Sequence, residues 1–186
     1  MNETIKNILE RRSIRSYLDK PVPHELIEEI VKCGKFAATG LGKQPWFFSV
    51  VESREALDKI SAANKKLILA MPEGPMTERA KDPNFHSFFH APAAVIVSRA
   101  RDNERSVADC ANAVENMAVA AWSLGIASCY LGSFKLSLLE PEGAALCEAL
   151  RIPGDHIPEF ALALGYAGGE PPERVPRRED NVVWIK

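Results

Sequence analysis

The residues of this 186-residue chain best suited to chemistry gather near its start, where Arg11, Arg12, Ser13, Ile14, Arg15, Ser16 and Tyr17 follow one another. Guanidinium forks bind oxyanions bidentately, and serine hydroxyls with backbone amides add neutral donors, so the set suits a phosphate. A plainer reading stands beside it: a solvated helix end whose arginines favour the negative pole of the helix dipole. A second stretch, Thr39-Gly40-Leu41-Gly42-Lys43-Gln44-Pro45-Trp46, joins small residues to a rigid Pro-Trp exit. Such a loop lets backbone approach a flat ligand closely, or it is an ordinary helix-to-strand connection. Its GxG leads into Gln-Pro rather than opening a helix, and no Ser or Thr follows Gly-Lys. Neither a dinucleotide fingerprint nor a Walker A loop is present.

Other catalytic chemistries find little purchase. His24, His86, His90 and His156 have no ligand spacing such as HExxH, and no Ser, His and Asp set stands out. Cys33, Cys110, Cys129 and Cys147 lack CxxC or metal spacing, which points to free thiols in a reducing cytosol. With 23 Lys and Arg against 25 Asp and Glu, the net charge of -2 offers no general attraction to nucleic acid or membrane. The charged N-terminus has no signal-peptide core, so a cytoplasmic protein is expected.

These residues need elements to position them. Asn2 is a cap for a helix striped by Ile5, Ile8 and Leu9, and Pro23 suits the start of a helix bearing Leu26, Ile27, Ile30 and Val31. FFSVVES after Trp46 reads as a buried strand, and Ser53 opens a helix with Leu57, Ile60 and Ala63 in register. Met71 to Asn84 dissolves into loop or short helical pieces, a natural lid. Phe85, Phe88 and Phe89 read as core, and residues 93–98 as a strand.

The longest element is the helix from Val107 to Leu124, in which thirteen of eighteen residues are apolar, leaving Asp109, Asn112, Glu115, Asn116 and Ser123 as a narrow polar stripe. A helix apolar nearly all round is buried in a core or against a partner; with six alanines allowing close approach, a subunit interface is expected, with a central core helix of a monomer as the alternative. Gly125 to Gly132 reads as a strand, Pro141 starts a helix stopped at Pro153 and Gly154, and residues 160–169 form the last internal strand. A polar, proline-rich arm, Glu170 to Asp180, then leads to a terminal strand signal at Val182 to Ile185, which could add to a neighbouring subunit's sheet. No repeat or linker divides the chain, so residues 1–186 are read as one domain.

RRSIRSY, KQPW before a strand, FxxFFHAPAAVIV, DCANAVENMAVAAWSLGIASCYLG and a basic arm before VVW resemble, in order and spacing, the flavin-dependent nitroreductase family. The resemblance implies an α+β fold with a central, mostly antiparallel sheet flanked by helices, in an intertwined homodimer whose C-terminal arms embrace the partner. It also implies non-covalent FMN. Arg11, Arg12 and Ser13, with Arg177 or Arg178, match the positions around its phosphate and ribityl chain, and Arg15 matches the cation near flavin N1 and O2. Thr39, Gly40, Gln44, Pro45 and Trp46 match a loop laid along the flavin by the partner, and Leu131 and Gly132 match backbone near N5. Where the family often has Asn two residues before Gln-Pro-Trp, and Ser earlier, this loop reads Ala38-Thr39-Gly40-Leu41-Gly42, so one polar flavin contact is missing. The chain is also too compact for extra helices over the pocket, which implies a shallow site.

By the same resemblance no side chain acts as a catalytic group, because flavin N5 carries hydride from NAD(P)H to an electron-poor small molecule, a nitroaromatic, quinone or similar, by a ping-pong route. Two other classes remain: an FMN-binding redox sensor or flavin handler with little turnover, and a thiol enzyme using Cys129 or Cys110.

Overall fold

The computed structural model describes residues 1–186. Helices α1 (Glu3–Glu10) and α2 (His24–Lys35) precede strand β1 (Trp46–Val51); α3 (Arg54–Leu69) and α4 (Pro75–Ala80) lead to β2 (Ala93–Ala100). Then come α5 (Ser106–Ser123), β3 (Ala127–Leu131), the short α6 (Leu136–Leu139) and α7 (Ala144–Ala149), and β4 (His156–Gly165). The strands form one sheet in the order β1-β2-β4-β3, with every neighbouring pair antiparallel.

Side-chain alternation along the two central strands divides the core into two layers. Ala94 and Ile96 of β2, with Ala161 and Ala163 of β4, face Leu57 and Ile60 of α3 together with Phe88 and Phe134. Val95 and Val97, with Leu162 and Leu164, face Ile27 and Ile30 of α2 and Val114 and Met117 of α5. Helices therefore cover both faces. Helices α2 and α5 approach so closely that a Cβ on Gly34 would sit 2.7 Å from Met117 Cγ.

The expected caps form: Asn2 Oδ1 accepts the Ile5 N–H at 3.0 Å and Ser53 Oγ accepts that of Ala56 at 3.2 Å. Pro23 sits one place earlier than expected, at the N-cap of α2. The Pro141 helix breaks into a 3₁₀ turn, Pro141–Gly143, followed by α7. β4 begins earlier than residue 160 and stops at Gly165 because Tyr166 to Gly168 turn to pair with residues 16–18 instead.

Two expectations concern a neighbouring subunit, and the fold of one chain bears on each. Helix α5 buries Cys110, Ala113, Val114, Met117, Ala118 and Ala121 within its own chain, leaving Ala108, Asn112, Glu115 and Asn116 exposed. Its apolar side therefore packs in this chain's own core. Residues 182–185 form no strand: Trp184 is 84% and Ile185 92% exposed. A strand exists only by pairing with an edge, and within one chain the arm meets none. No helix is long and apolar enough to cross a membrane.

Candidate functional site

The arginine-rich segment leaves α1 at Arg11 and runs beside β3. Ser13 bridges Ser128 in parallel, and Ile14 donates its N–H to Ser128 O at 2.9 Å. Buried Ile14 pins the segment, so Ser13 and Arg15 point away from the core. Further on, Leu18 N–H donates to Tyr166 O at 2.9 Å, Gly168 N–H donates to Ser16 O at 2.8 Å, and Tyr17 Oη donates to Ile14 O at 2.7 Å. Burial pushes the Tyr17 phenol far up, so it remains a hydrogen-bond donor. At Gly168 a Cβ would lie 2.7 Å from Ser16 Oγ, which fixes glycine at this crossing.

Both readings of the cluster find a counterpart. Arg12 Nη1 donates to the carbonyls of Leu9, Glu10 and Arg11 at 3.3, 2.6 and 3.0 Å, closing the C-terminus of α1 as a helix-end arginine does. Its Nε is nevertheless buried with no partner. Arg11 Nε is ion-paired with Glu115 Oε1 at 3.3 Å without forming a hydrogen bond, and that nitrogen too is buried. Arg11 and Arg12 thus stand side by side at the end of α1, and adjacent guanidiniums are groups that suit an oxyanion.

The arm brings further charge. Arg178 is tied to Asp180 by two 2.9 Å bonds. Arg174, which the sequence reading passed over, has its guanidinium held below the ordinary value, first by desolvation and then by the positive fields of Arg12, Arg177 and Arg11. Opposite ends of the chain thus converge on one cationic region. The signal was present in the spacing of Arg174, Arg177 and Arg178.

The loop after α2 is shaped by left-handed backbone at Leu41, Gly42 and Gln44, with φ of 56°, 66° and 49°. Thr39 Oγ1 accepts the Gln44 N–H at 3.3 Å, while Gly40 N–H donates to Asp109 Oδ1 at 3.0 Å. Pro45 O accepts the Ala100 N–H at 3.0 Å as Trp46 enters β1. The loop is anchored at the N-terminal half of α5, whereas Glu115 meets Arg11 six residues on, about 9 Å along the helix axis. At the end of β3, Leu131 is buried and Gly132 exposed, and a Cβ added to Gly132 would meet nothing within 4 Å. Open backbone of this kind admits a flat ligand.

The aromatic trio expected in the core divides. Phe88 is fully buried, but Phe85 and Phe89 are only partly so, and Arg79 of α4 stands over both. Asp58, His86 and His90 also come together, with candidate ligand atoms within 4.8 Å. His86 Nδ1 accepts the N–H groups of Phe88 and His90, both at 3.1 Å, and Nε2 faces Asp58 Oδ1 at 3.0 Å. Both ring nitrogens of His86 are thereby engaged in protein hydrogen bonds.

Comparison with known proteins places the sequence and the fold. Residues 8–166 match the model of the Nitroreductase family. The chain is 36% identical over 177 residues to a provisionally named NADH dehydrogenase/NAD(P)H nitroreductase of Archaeoglobus fulgidus, spanning 91% of this chain and 88% of that one. It superposes with a TM-score of 0.93 on a nitroreductase with bound FMN from Bacteroides fragilis, at 29% identity, and equally well on one from Desulfitobacterium hafniense, at 26%, covering all of each chain. With its sheet order, its arginine-bearing segment beside β3 and a match running almost from end to end, the chain belongs to the nitroreductase family.

Proposed function

We propose that this chain is an FMN-dependent oxidoreductase that uses NAD(P)H to reduce an electron-poor small molecule, a nitroaromatic or quinone, working as one domain in an intertwined homodimer. The observation carrying this reading is the gathering of the guanidiniums of Arg11 and Arg12, at the end of α1, with those of Arg174 and Arg177 from the arm in one cationic region. A phosphate dianion is the partner that several converging guanidiniums suit, through charge-assisted hydrogen bonds. Family membership and the FMN bound in the similar solved structures support FMN as the phosphate's bearer. A Bacillus subtilis relative, 29% identical over 170 residues, is named an FMN reductase (NADPH).

Each group then has a task. Arg11, Arg12 and Ser13 hold the phosphate and ribityl chain, joined by Arg177 and Arg174 from the arm. Arg15 places positive charge beside the pyrimidine edge of the ring and so favours electron density there. Leu131 and Gly132 bring open backbone toward the reacting edge, and Thr39, Gly40, Gln44, Pro45 and Trp46 close over it from the partner. Bound FMN supplies two-electron hydride chemistry at N5. Because nicotinamide and acceptor use the same ring in turn, ping-pong kinetics follow. Dimerisation is supported by the exposed arm, with Val182, Val183, Trp184 and Ile185 lacking cover, and by β1, whose outer edge carries no strand.

The test is to purify the protein, record its visible spectrum and follow anaerobic bleaching under NADH and then NADPH. A yellow protein bleached by at least one of them is expected. Colourless folded protein that takes up no FMN at micromolar concentration overturns the reading, and very slow bleaching points to the sensor instead.

A further inference from the structure

Arg15 and Arg79 come from separate elements to one aromatic ring: their guanidinium carbons lie 5.9 and 5.0 Å from the centroid of Phe89, and Arg79 is also 5.8 Å from that of Phe85. Neither is ion-paired, since the arginines that meet carboxylates are Arg11, Arg54, Arg99 and Arg178. Two cations at one ring repel each other, and an exposed cation–π contact offsets little of that repulsion. An anion between them would complete the arrangement.

The platform beneath them is fixed. Phe89 and His90 hold left-handed backbone, with φ of 54° and 57°, which is uncommon for residues other than glycine. The two N–H groups accepted by His86 Nδ1 keep this turn in place. A cleft of about 170 Å³ opens between the turn and the two arginines. The carboxylate that lines it, Asp82, has its Oδ1 engaged by the Asn84 N–H at 2.8 Å. The cleft lies close to the region already described, because Arg15, Arg79 and Arg11 all act electrostatically on Cys129 of β3, two residues before Leu131.

We propose that Arg79, with Arg15, forms an oxyanion subsite beside the FMN site, holding the charged group of a molecule that visits the flavin. That group is either the carboxylate of an aromatic acceptor or the 2′-phosphate of NADPH. The proposal rests on the FMN reading above. A guanidinium carries five donors, so Arg15 can serve a ring oxygen and an oxyanion at once. Arg79 is an exposed residue of α4, a helix seated on the body of the protein through buried Thr77 and Ala80.

The test compares the FMN-loaded protein with Arg79→Gln and Arg79→Lys, using 4-nitrobenzoate and uncharged nitrobenzene as probes. Calorimetric titration of the oxidised protein gives affinities, and steady-state kinetics give KM for each acceptor, NADH and NADPH. If the anion is the acceptor's, Arg79→Gln weakens 4-nitrobenzoate by about tenfold, leaves nitrobenzene within about twofold, and Arg79→Lys restores part of the loss. If it is the dinucleotide's 2′-phosphate, KM for NADPH rises by about tenfold while KM for NADH and both acceptor affinities hold. Unchanged values throughout overturn the subsite. So does a fall in flavin content in Arg79→Gln, which would assign Arg79 to the cofactor. Protein that refuses FMN fails the parent reading instead, and titration of that same protein with 4-nitrobenzoate still reports on the arginines.

Discussion

Asp109 Oδ1 accepts the backbone N–H of Gly40 at 3.0 Å, joining residues 69 apart in sequence. It is the first of four contacts made by the polar stripe of α5: Asn112 Nδ2 donates to Ala38 O and Asn116 Nδ2 to Cys33 O, each at 3.3 Å, and Glu115 faces Arg11. The stripe thus holds the site's surroundings in place.

Removing the first contact frees the loop. Asp109→Ala is expected to cost about 1.5 kcal/mol or somewhat more, the range for a hydrogen bond to a charged group, and to raise hydrogen exchange across residues 38–44. Asp109→Asn keeps an acceptor and retains most of the stability. Thermal unfolding and exchange mass spectrometry of both variants check this.

The phosphate assignment ranks three arginines. Arg12→Ala is expected to strip FMN from folded protein, and Arg177→Ala to lower affinity by about tenfold, as loss of a charge-assisted contact does. Arg178→Ala changes little, because that guanidinium is already spent on Asp180. Flavin retained after dialysis measures all three, and an Arg178 variant losing more flavin than the Arg177 variant reverses the assignment.

Stability carries an acid-side signature at His86. Its ring is held below the ordinary histidine value, chiefly by burial and then by His90, with Asp58 opposing. The native state therefore favours neutral imidazole. Its contribution is fully present above about pH 6.5 and is lost as pH falls from there through the lower native value. Between pH 7.5 and 5.5 the wild type should lose more Tm than His86→Asn, whose side chain can still accept from the turn without titrating.

Thiol chemistry is suppressed by the core. Burial pushes the Cys110 thiol up to about 12, and burial raises Cys129 and Cys147 as well. Iodoacetamide at pH 8 should leave native Cys110 and Cys129 unlabelled while activity persists, as peptide mapping beside an activity assay will show. Rapid inactivation by labelling at Cys129 would revive the thiol enzyme.

The amino-acid sequence by itself determined α1, α2, α3 and α5, the four strands of the sheet and the arginine cluster, because hydrophobic period, capping and side-chain chemistry are local properties. The resemblance carried by its five motifs reached the family. Tertiary structure alone decided which polar groups meet: that the stripe of α5 serves the end of α2 and the loop after it, 69 to 83 residues away, that Phe88 is core while Phe89 lies beneath two arginines, and that Arg178 meets Asp180. It also decided that Val182 to Ile185 form no strand within one chain. Contacts between distant residues depend on how the chain returns past itself, and a strand needs an edge to pair with; neither is written in any local run of side chains.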